Sequence, residues 1–162
     1  MTAARTRRAP TTGAARIGVA LAVVACVLLA DQLTKWWAVR RLAAGPVHLI
    51  GRLDFELSLN TGSAFSAFQG HTVVIVVLAL ALVAVLLAMV WRAPTLARAA
   101  VLGLILGGAL GNLADRIFRS DHGAVVDFID FHFWPTFNVA DSCIVVGCIL
   151  LVASLLRGST RS

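Results

Sequence analysis

Residues 72–90 read TVVIVVLALALVAVLLAMV, a run of nineteen positions without a charged side chain. An α-helix rises about 1.5 Å per residue, so about 20 apolar residues are enough to cross a hydrocarbon core about 30 Å thick. The run is therefore predicted to be a transmembrane helix, and the protein an integral membrane protein.

Three more apolar stretches lie on either side of this run, at about residues 17–39, 98–116 and 139–156. The chain of 162 residues is 59% hydrophobic and 14% charged, whereas soluble domains are about 45–50% apolar and about 25% charged. We expect a mainly α-helical membrane protein with one domain, residues 16–157, built on four transmembrane helices. Two cytoplasmic tails flank it: residues 1–15, expected to be disordered, and residues 158–162.

The cysteines and the net charge argue against several protein classes. Three cysteines, all inside apolar runs, do not make a disulfide framework or a zinc site. The net charge of +6 comes from basic residues scattered around apolar segments. Because nucleic-acid-binding proteins cluster such residues on one face, we expect no nucleic-acid partner.

Basic and acidic residues are sorted along the chain. Eight arginines and no acid occupy the N-terminal tail, the link between the second and third spans, and the C-terminal tail. Cytoplasmic loops carry an excess of Lys and Arg, so both termini are predicted to be cytoplasmic. All eight Asp and Glu residues then lie toward the opposite side, and we expect the chemistry at the extracytoplasmic face.

Two segments on that side are predicted to form a small extracytoplasmic β-sheet. Residues 47–60 alternate apolar and polar side chains except at Ile50 and Gly51, which predicts one β-strand with an apolar face resting on the membrane surface. Residues 60–62 read Asn-Thr-Gly, a turn signal. A second β-rich stretch, residues 125–131, is expected to pair with the first.

Three acids on three predicted helices reach one depth. At about 1.5 Å per residue, Asp31, Asp115 and Asp141 lie about 22 to 26 Å from the cytoplasmic arginines. An ionised carboxylate there is costly unless it is paired or faces a wet cavity. Asp31 and Lys35 are i,i+4 neighbours, which favours an internal ion pair with a structural role over direct catalysis by Lys35.

Two of these acids, Asp115 and Asp141, have other polar residues beside them on the same helix. Asn112, Asp115 and Arg116 share one face of the third helix, where Arg116 is placed either to fix Asp115 or to bind a substrate carbonyl. Asn138 and Asp141 open the last span at i,i+3, and Asn138 also suits a helix N-cap. Asp141 has no residue of opposite charge within four positions, so it needs a partner from elsewhere in the chain.

Three hydrolytic mechanisms are open to such a set. A nucleophilic Ser63 with Lys35 as base is weakly indicated, because the G-x-S-x-G context is missing. The four histidines are scattered without metal-ligand spacing, which disfavours a metal hydrolase. Paired carboxylates remain, in which one Asp stays protonated beside the charge of the other and the two activate a water. Asp115, Asp127 and Asp141 are the candidates.

At these residues the sequence resembles the lipoprotein signal peptidase (signal peptidase II) family of bacterial inner membranes. Five separated blocks carry the resemblance, and together they are specific although each alone is weak. In chain order they are Asp31-Gln32-Leu33-Thr34-Lys35, Asn60-Thr61-Gly62-Ser63-Ala64-Phe65, Gly111-Asn112-Leu113-Ala114-Asp115-Arg116, Val125-Val126-Asp127-Phe128 and Phe137-Asn138-Val139-Ala140-Asp141-Ser142.

The resemblance implies an aspartyl endopeptidase of the bacterial inner membrane. Such an enzyme cleaves diacylglyceryl-modified prolipoproteins just before the lipidated cysteine of the lipobox, and it needs no cofactor and no metal. The resemblance also selects Asp127 and Asp141 as the catalytic pair and leaves Asp115 as a structural partner, for Arg116. Four residues are implied to bind substrate: Asn60, Asn112, Arg116 and Asn138. We expect a monomer whose partners are its prolipoprotein substrates and membrane lipids.

Two other functions compete with this one. A small proton-coupled transporter would also place carboxylates in the membrane, but transporters hold them near the midplane between repeats, and no repeat is visible. A non-catalytic assembly factor would explain the stripe Gly103, Gly107 and Gly111 as a close helix contact, but not the convergent acids.

Overall fold

The computed structural model describes residues 12–62, 72–119 and 123–159. Four of its helices are long and apolar enough to cross a membrane, which confirms the predicted architecture. In chain order these helices are α1 (Gly13–Arg41), α2 (Thr72–Trp91), α3 (Leu96–Phe118) and α4 (Val139–Ser159).

Two helix ends differ from the sequence-based bounds. The hydroxyl of Thr12 accepts a hydrogen bond from the Ala15 backbone N–H at 3.2 Å, so α1 already begins at Gly13. Residues 13–15 are thus helical and do not belong to a disordered tail, and α4 also continues past residue 157. Residues 1–11 and 160–162 of the two predicted tails lie outside the described residues.

Helix α3 lies at the centre of the bundle, in contact with α1, α2 and α4. Its predicted glycine stripe is the contact with α1. A Cβ added at Gly103 would stand 2.7 Å from the Ala20 carbonyl oxygen, and one at Gly107 would stand 2.8 Å from the Val27 Cβ. The two helices therefore approach to backbone contact, which only small residues permit.

The three strands form an antiparallel sheet in the order β1-β2-β3, with β1 at Val47–Ile50, β2 at Leu53–Asn60 and β3 at Val125–Asp130. The single strand predicted for residues 47–60 is wrong: the chain reverses at Gly51, whose φ of 60° lies in the left-handed region. The predicted pairing of the two segments is confirmed, since β2 pairs with β3.

The sheet is attached to the helices through three aromatic rings. Trp37 of α1 meets Phe55 of β2 and Phe128 of β3 edge-on, with ring centroids 5.4 and 6.2 Å apart. The two phenylalanines lie 6.0 Å from each other. This contact fixes the residue beside Asp127 against the end of α1.

Candidate active site

Asp127 and Asp141 come together where β3 meets the start of α4. Phe137 pairs with Ile129 of β3 through backbone hydrogen bonds of 2.9 and 3.1 Å, so α4 begins beside that strand. Asn138 caps the helix, as predicted: its Oδ1 accepts from the Asp141 N–H at 2.9 Å. Its own N–H donates to Asp141 Oδ2 at 3.2 Å. This reciprocal capping satisfies two backbone donors and holds the Asp141 side chain in place.

Three asparagine amides hold the two carboxylates. The Asn138 Nδ2 donates to Asp127 Oδ1 at 2.6 Å, and the Asn60 Nδ2 donates to the other oxygen of Asp127 at 3.0 Å. The Asn112 Nδ2 donates to Asp141 Oδ1 at 2.7 Å. Asn138 also donates to Asn112 Oδ1 at 3.1 Å, so one connected network spans both acids.

Asp127 is almost fully buried, and this burial governs its proton affinity. The side chain is 1% exposed. Desolvation raises the pKa of Asp127 to about 6, and the nearby charge of Asp141 acts in the same direction, while the Asn60 and Asn138 amides act against them. A carboxyl with such a pKa can both hold and release a proton near neutral pH, as acid–base catalysis requires.

A buried ion cluster lies beneath the carboxylates. The Lys35 Nζ lies 2.8 Å from Asp31 Oδ2 and 2.9 Å from Asp115 Oδ2, with all three side chains fully buried. The predicted Asp31–Lys35 pair is thus present and gains a second acid from α3. Lys35 also donates to Asn112 Oδ1 at 3.0 Å, which leaves the Asn112 Nδ2 turned toward Asp141.

The same ion cluster is tied to both chain segments that carry the acids. Asp31 Oδ1 accepts from the Ala140 backbone N–H at 3.0 Å, next to Asp141. Asp115 Oδ2 accepts from the Val126 backbone N–H at 3.1 Å, next to Asp127. Because these contacts run from α1 and α3, the ion cluster sets the distance between β3 and α4.

The expected pairing of Asp115 with Arg116 is wrong. The ion partners of Asp115 are Lys35 and Arg119, whose Nε lies 2.8 Å from Asp115 Oδ1. Arg116 instead donates to the Asn112 carbonyl at 3.3 Å, and its buried Nε has no hydrogen-bond partner in the described part of the chain. A free, buried donor beside the two acids suits the alternative role, binding a substrate carbonyl.

Sequence reasoning missed two residues of the polar network. Gln32 donates to Asp31 Oδ2 and Asp115 Oδ1, both at 3.1 Å, and Arg119 pairs with Asp115. The i,i+4 spacing of Asp115 and Arg119 repeats that of Asp31 and Lys35 and was the available signal. Ser63, the nucleophile of the weaker alternative, lies outside the described residues.

An apolar cavity of about 280 Å³ opens beside Asp141. It is walled by aromatic residues of the 131–138 segment and by the outward face of α4. Its lining residues are Trp134, Phe137, Asp141, Ser142, Val145 and Val146. A carboxylate in an otherwise apolar wall offers a polar group to a ligand that is itself largely apolar.

The family model described as signal peptidase (SPase) II matches residues 23–157, which is most of the chain. The chain belongs to the signal peptidase II family. The asparagines, the carboxylates and the ion cluster of the candidate site all lie within the matched range.

Curated relatives with the name lipoprotein signal peptidase support this membership. The protein of Mycolicibacterium smegmatis is 46% identical over 151 residues, which cover 88% of this chain and 63% of that relative. The protein of Rhodococcus jostii is 47% identical over 146 residues, 85% of this chain and 73% of the relative. The chain therefore spans somewhat less than two thirds of the first of these proteins.

Two solved structures described as bacterial membrane enzymes share the fold. One superposes with a TM-score of 0.80 at 26% identity and covers 90% of this chain and 92% of that one. The other has a TM-score of 0.78 at 27% identity, with 86% and 93% covered. The four-helix fold with its small sheet is thus shared with known bacterial membrane enzymes.

Proposed function

We propose that this protein removes the signal peptide from diacylglyceryl-modified prolipoproteins, cleaving before the lipidated cysteine with a water activated by Asp127 and Asp141. Membership of the signal peptidase II family supports the peptidase activity. The single observation that carries the aspartyl mechanism is the connected network in which Asn138 bonds both carboxylates, directly to Asp127 and through its capping contacts to Asp141.

In this mechanism the two carboxyls share one proton. The burial that raises the pKa of Asp127 to about 6 favours placing the proton there. The ionised Asp141 takes a proton from the water while the water oxygen attacks the scissile carbonyl carbon. At the same time Asp127 donates its proton to the carbonyl oxygen. When the C–N bond breaks, the proton on Asp141 passes to the leaving nitrogen, and the hydroxyl of the intermediate returns its proton to Asp127. The proton balance closes without a metal or another cofactor.

The surrounding residues are assigned to substrate binding. Asn60, Asn112 and Asn138 hold the carboxylates and line the place where the peptide backbone would pass. Arg116 offers its free buried Nε to a peptide carbonyl. The cavity beside Asp141 is apolar, and we assign it to an apolar part of the lipidated precursor.

The membrane setting fits such a substrate. A diacylglyceryl group and a signal helix anchor the precursor in the bilayer, so the scissile bond stays near the interface. We place the enzyme in the bacterial inner membrane as a monomer, with both termini cytoplasmic and the active site at the extracytoplasmic face. Membrane lipids are then its neighbours on the exposed faces of α2 and α4.

The deciding test is cleavage of a lipidated precursor peptide in detergent by purified wild-type protein and by Asp127→Asn and Asp141→Asn. Each variant should lose cleavage but still bind the peptide, because an amide keeps the shape of the carboxyl but cannot accept a proton from water. Glu56→Gln, an exposed change on β2, is the matched control and should cleave normally.

Two outcomes would defeat the aspartyl mechanism. The first is an acyl-enzyme trapped on Ser63, which would establish the serine alternative. The second is loss of activity with a chelator and recovery with zinc, which would require a metal site. Asp115→Asn should reduce the amount of folded protein more than the turnover of the folded fraction, since Asp115 belongs to the ion cluster.

A further inference from the structure

A row of titratable side chains crosses the sheet at the end away from Asp127. In the strand register, His48 of β1 lies opposite Asp54 of β2, and Asp54 lies opposite Asp130 of β3. His132 follows β3 by two residues. The four histidines looked unrelated in the sequence, yet two of them meet on Asp54.

The imidazole ring of His132 lies between two carboxylates. Its Nε2 lies 3.0 Å from Asp54 Oδ2, and its Nδ1 lies 3.1 Å from Asp130 Oδ2. Ionised carboxylates only accept hydrogen bonds, and a neutral imidazole has one N–H. The Nε2 contact with Asp54 is a hydrogen bond and the Nδ1 contact with Asp130 lies within ion-pair distance. A ring that carries a proton on both nitrogens would present a donor and a positive charge to both carboxylates.

The position between two acids also needs a positive charge. Asp54 and Asp130 are directly opposed on neighbouring strands, and like charges in that arrangement destabilise a sheet. His132 is held between them by its backbone, since its N–H donates to Asp130 Oδ1 at 2.8 Å. Its φ of 62° is a left-handed conformation that few residues other than glycine adopt.

We infer that protonated His132 is a positioning residue that fastens β2 to β3 and so keeps Asn60 against Asp127. The two strands carry Asn60 and Asp127 at the other end of the same ladder, whose register is irregular between Phe55 and Ser58. The irregularity separates the Asp54–Asp130 end of the β2–β3 pairing from the end that carries Asn60. The His132 bridge holds the two strands together at the Asp54–Asp130 end.

The bridge depends on pH with a definite sign. The charged and titratable groups that face His132 are Asp54 of β2 and Asp130 at the end of β3, and His48 of β1 contacts the other oxygen of Asp54. Hydrogen bonding to His48, and then to His132, holds the pKa of Asp54 below its usual range, so Asp54 stays ionised. A neutral imidazole places no positive charge between Asp54 and Asp130, so the two opposed carboxylates lose that compensation.

Two substitutions at position 132 separate the charge from the backbone conformation. His132→Arg keeps a permanent positive charge and several donors. His132→Asn tolerates the left-handed conformation but carries no charge. The readout is amide hydrogen exchange of β2 and β3 in the full-length protein in detergent, at about pH 5.5 and about pH 8.5, on either side of the ordinary imidazole value of about 6.5.

After correction for intrinsic exchange, we expect wild-type β2 and β3 to exchange several-fold faster at the higher pH. His132→Asn should exchange fast at both pH values and His132→Arg slowly at both. Equal wild-type protection at the two pH values would overturn the inference. If the arginine variant proves poorly folded, nitrogen NMR of the wild-type ring decides: a neutral tautomer of His132 at the lower pH would also overturn it.

The effect on catalysis rests on the proposed function, but the exchange experiment does not. In the cleavage assay His132→Arg should keep more of its kcat at alkaline pH than wild type, with KM little changed. If the exchange results hold and no cleavage is seen in any variant, the proposed function fails and the bridge stands. If cleavage is normal and exchange is the same at both pH values, the His132 bridge fails and the proposed function stands.

Discussion

At the scale of single residues, Asp127 combines two opposed influences. Burial resists its ionisation, while the amides of Asn60 and Asn138 stabilise the ionised form. Because folding raises the pKa of this carboxyl from 3.8 to about 6, ionising it costs stability. The protonated form is favoured in the folded protein, and this contribution is lost as the pH rises from 3.8 to about 6.

Asn60→Ala should therefore change the pH dependence of cleavage in a predictable direction. Removing a hydrogen bond to the ionised form raises the pKa further, so the limb of the kcat/KM profile that lies near pH 6 should move to higher pH. Because Asp127 acts in its protonated form in the proposed mechanism, this is the alkaline limb. A lost bond to a charged group is worth about 1.5–3 kcal/mol, so the limb should move up by about one to two pH units. The measured values belong to the pair of acids.

The control for that profile is Glu56→Gln, on the same strand but exposed. It should leave the limb where it is in wild type. A profile for Asn60→Ala that coincides with wild type would show that the Asn60 amide does not act on the proposed catalytic carboxyl of Asp127.

Lys35→Met should reduce the yield of folded protein and also the turnover of what folds. It leaves Asp31 and Asp115 buried without their shared cation, a change that costs about 3–5 kcal/mol in other proteins. It also frees the Asn112 amide that is turned toward Asp141. Activity must be normalised to folded protein, measured by size-exclusion chromatography and binding of the substrate peptide.

Arg119→Gln is the matched change, since Arg119 also contacts Asp115 but lies partly in solvent. It should be milder in both respects. A Lys35→Met protein that folds like wild type and has lost all turnover would contradict the structural role of Lys35 and return attention to a Ser63 mechanism.

Residue spacing predicted the contacts within one helix better than those between segments. The Asp31–Lys35 pair follows from i,i+4 spacing. Asp115 was instead paired with its neighbour Arg116, although its partners are Arg119, at i,i+4, and Lys35 of another helix. The backbone donors of Val126 and Ala140 left no trace in the sequence, because any residue type supplies an N–H. Partners of this kind are set by tertiary packing alone.

At the scale of elements, α1 and α3 pack so closely that Gly103 of α3 has no room for a side chain beside the backbone of α1. Gly103→Ala would place a methyl group 2.7 Å from the Ala20 carbonyl oxygen, which cannot rotate away. Overpacking of this sort costs about 1–3 kcal/mol. We expect a lower thermal midpoint in detergent and lower activity, because α1 carries the lysine of the ion cluster.

Gly18→Ala, a glycine of α1 with open space around it, is the control for that prediction. It should be neutral or slightly stabilising, since alanine favours a helix over glycine by about 1 kcal/mol. Equal stability of Gly103→Ala and wild type would mean that the helices can separate at that point without loss.

The strands show where periodicity is insufficient. Two antiparallel strands of a hairpin both alternate between apolar and polar side chains. The pattern over residues 47–60 therefore predicts one strand although the chain forms two. The break in alternation at Ile50 and Gly51 was the local sign of the reversal. The pairing of β2 with β3 was predictable from composition, whereas its register, which puts Asn60 near Asp127, depends on the docking of Phe55 and Phe128 on Trp37.

At the scale of the whole molecule, the sorted charges predict which side each loop occupies. Arg52 lies in the exposed β1–β2 hairpin, and Arg92 lies in the exposed link between α2 and α3. In a background without native cysteines, Arg52→Cys should react with an impermeant maleimide in intact cells. Arg92→Cys should react only after permeabilisation, and the opposite pattern would reverse the proposed topology.

The i,i+4 ion pairs bear on how the chain enters the bilayer during synthesis. Asp31 meets Lys35 on α1, and Asp115 of α3 meets Arg119, the residue that directly follows that helix. Each of these helices can therefore leave the translocon with its acid already neutralised by its own base, before the partner helix has been made. The shared contact of Lys35 with Asp115 forms only afterwards, when two self-compensated helices come together. Asp141 arrives last, on α4, so the nascent chain does not hold both of the proposed catalytic acids until this helix is in the membrane.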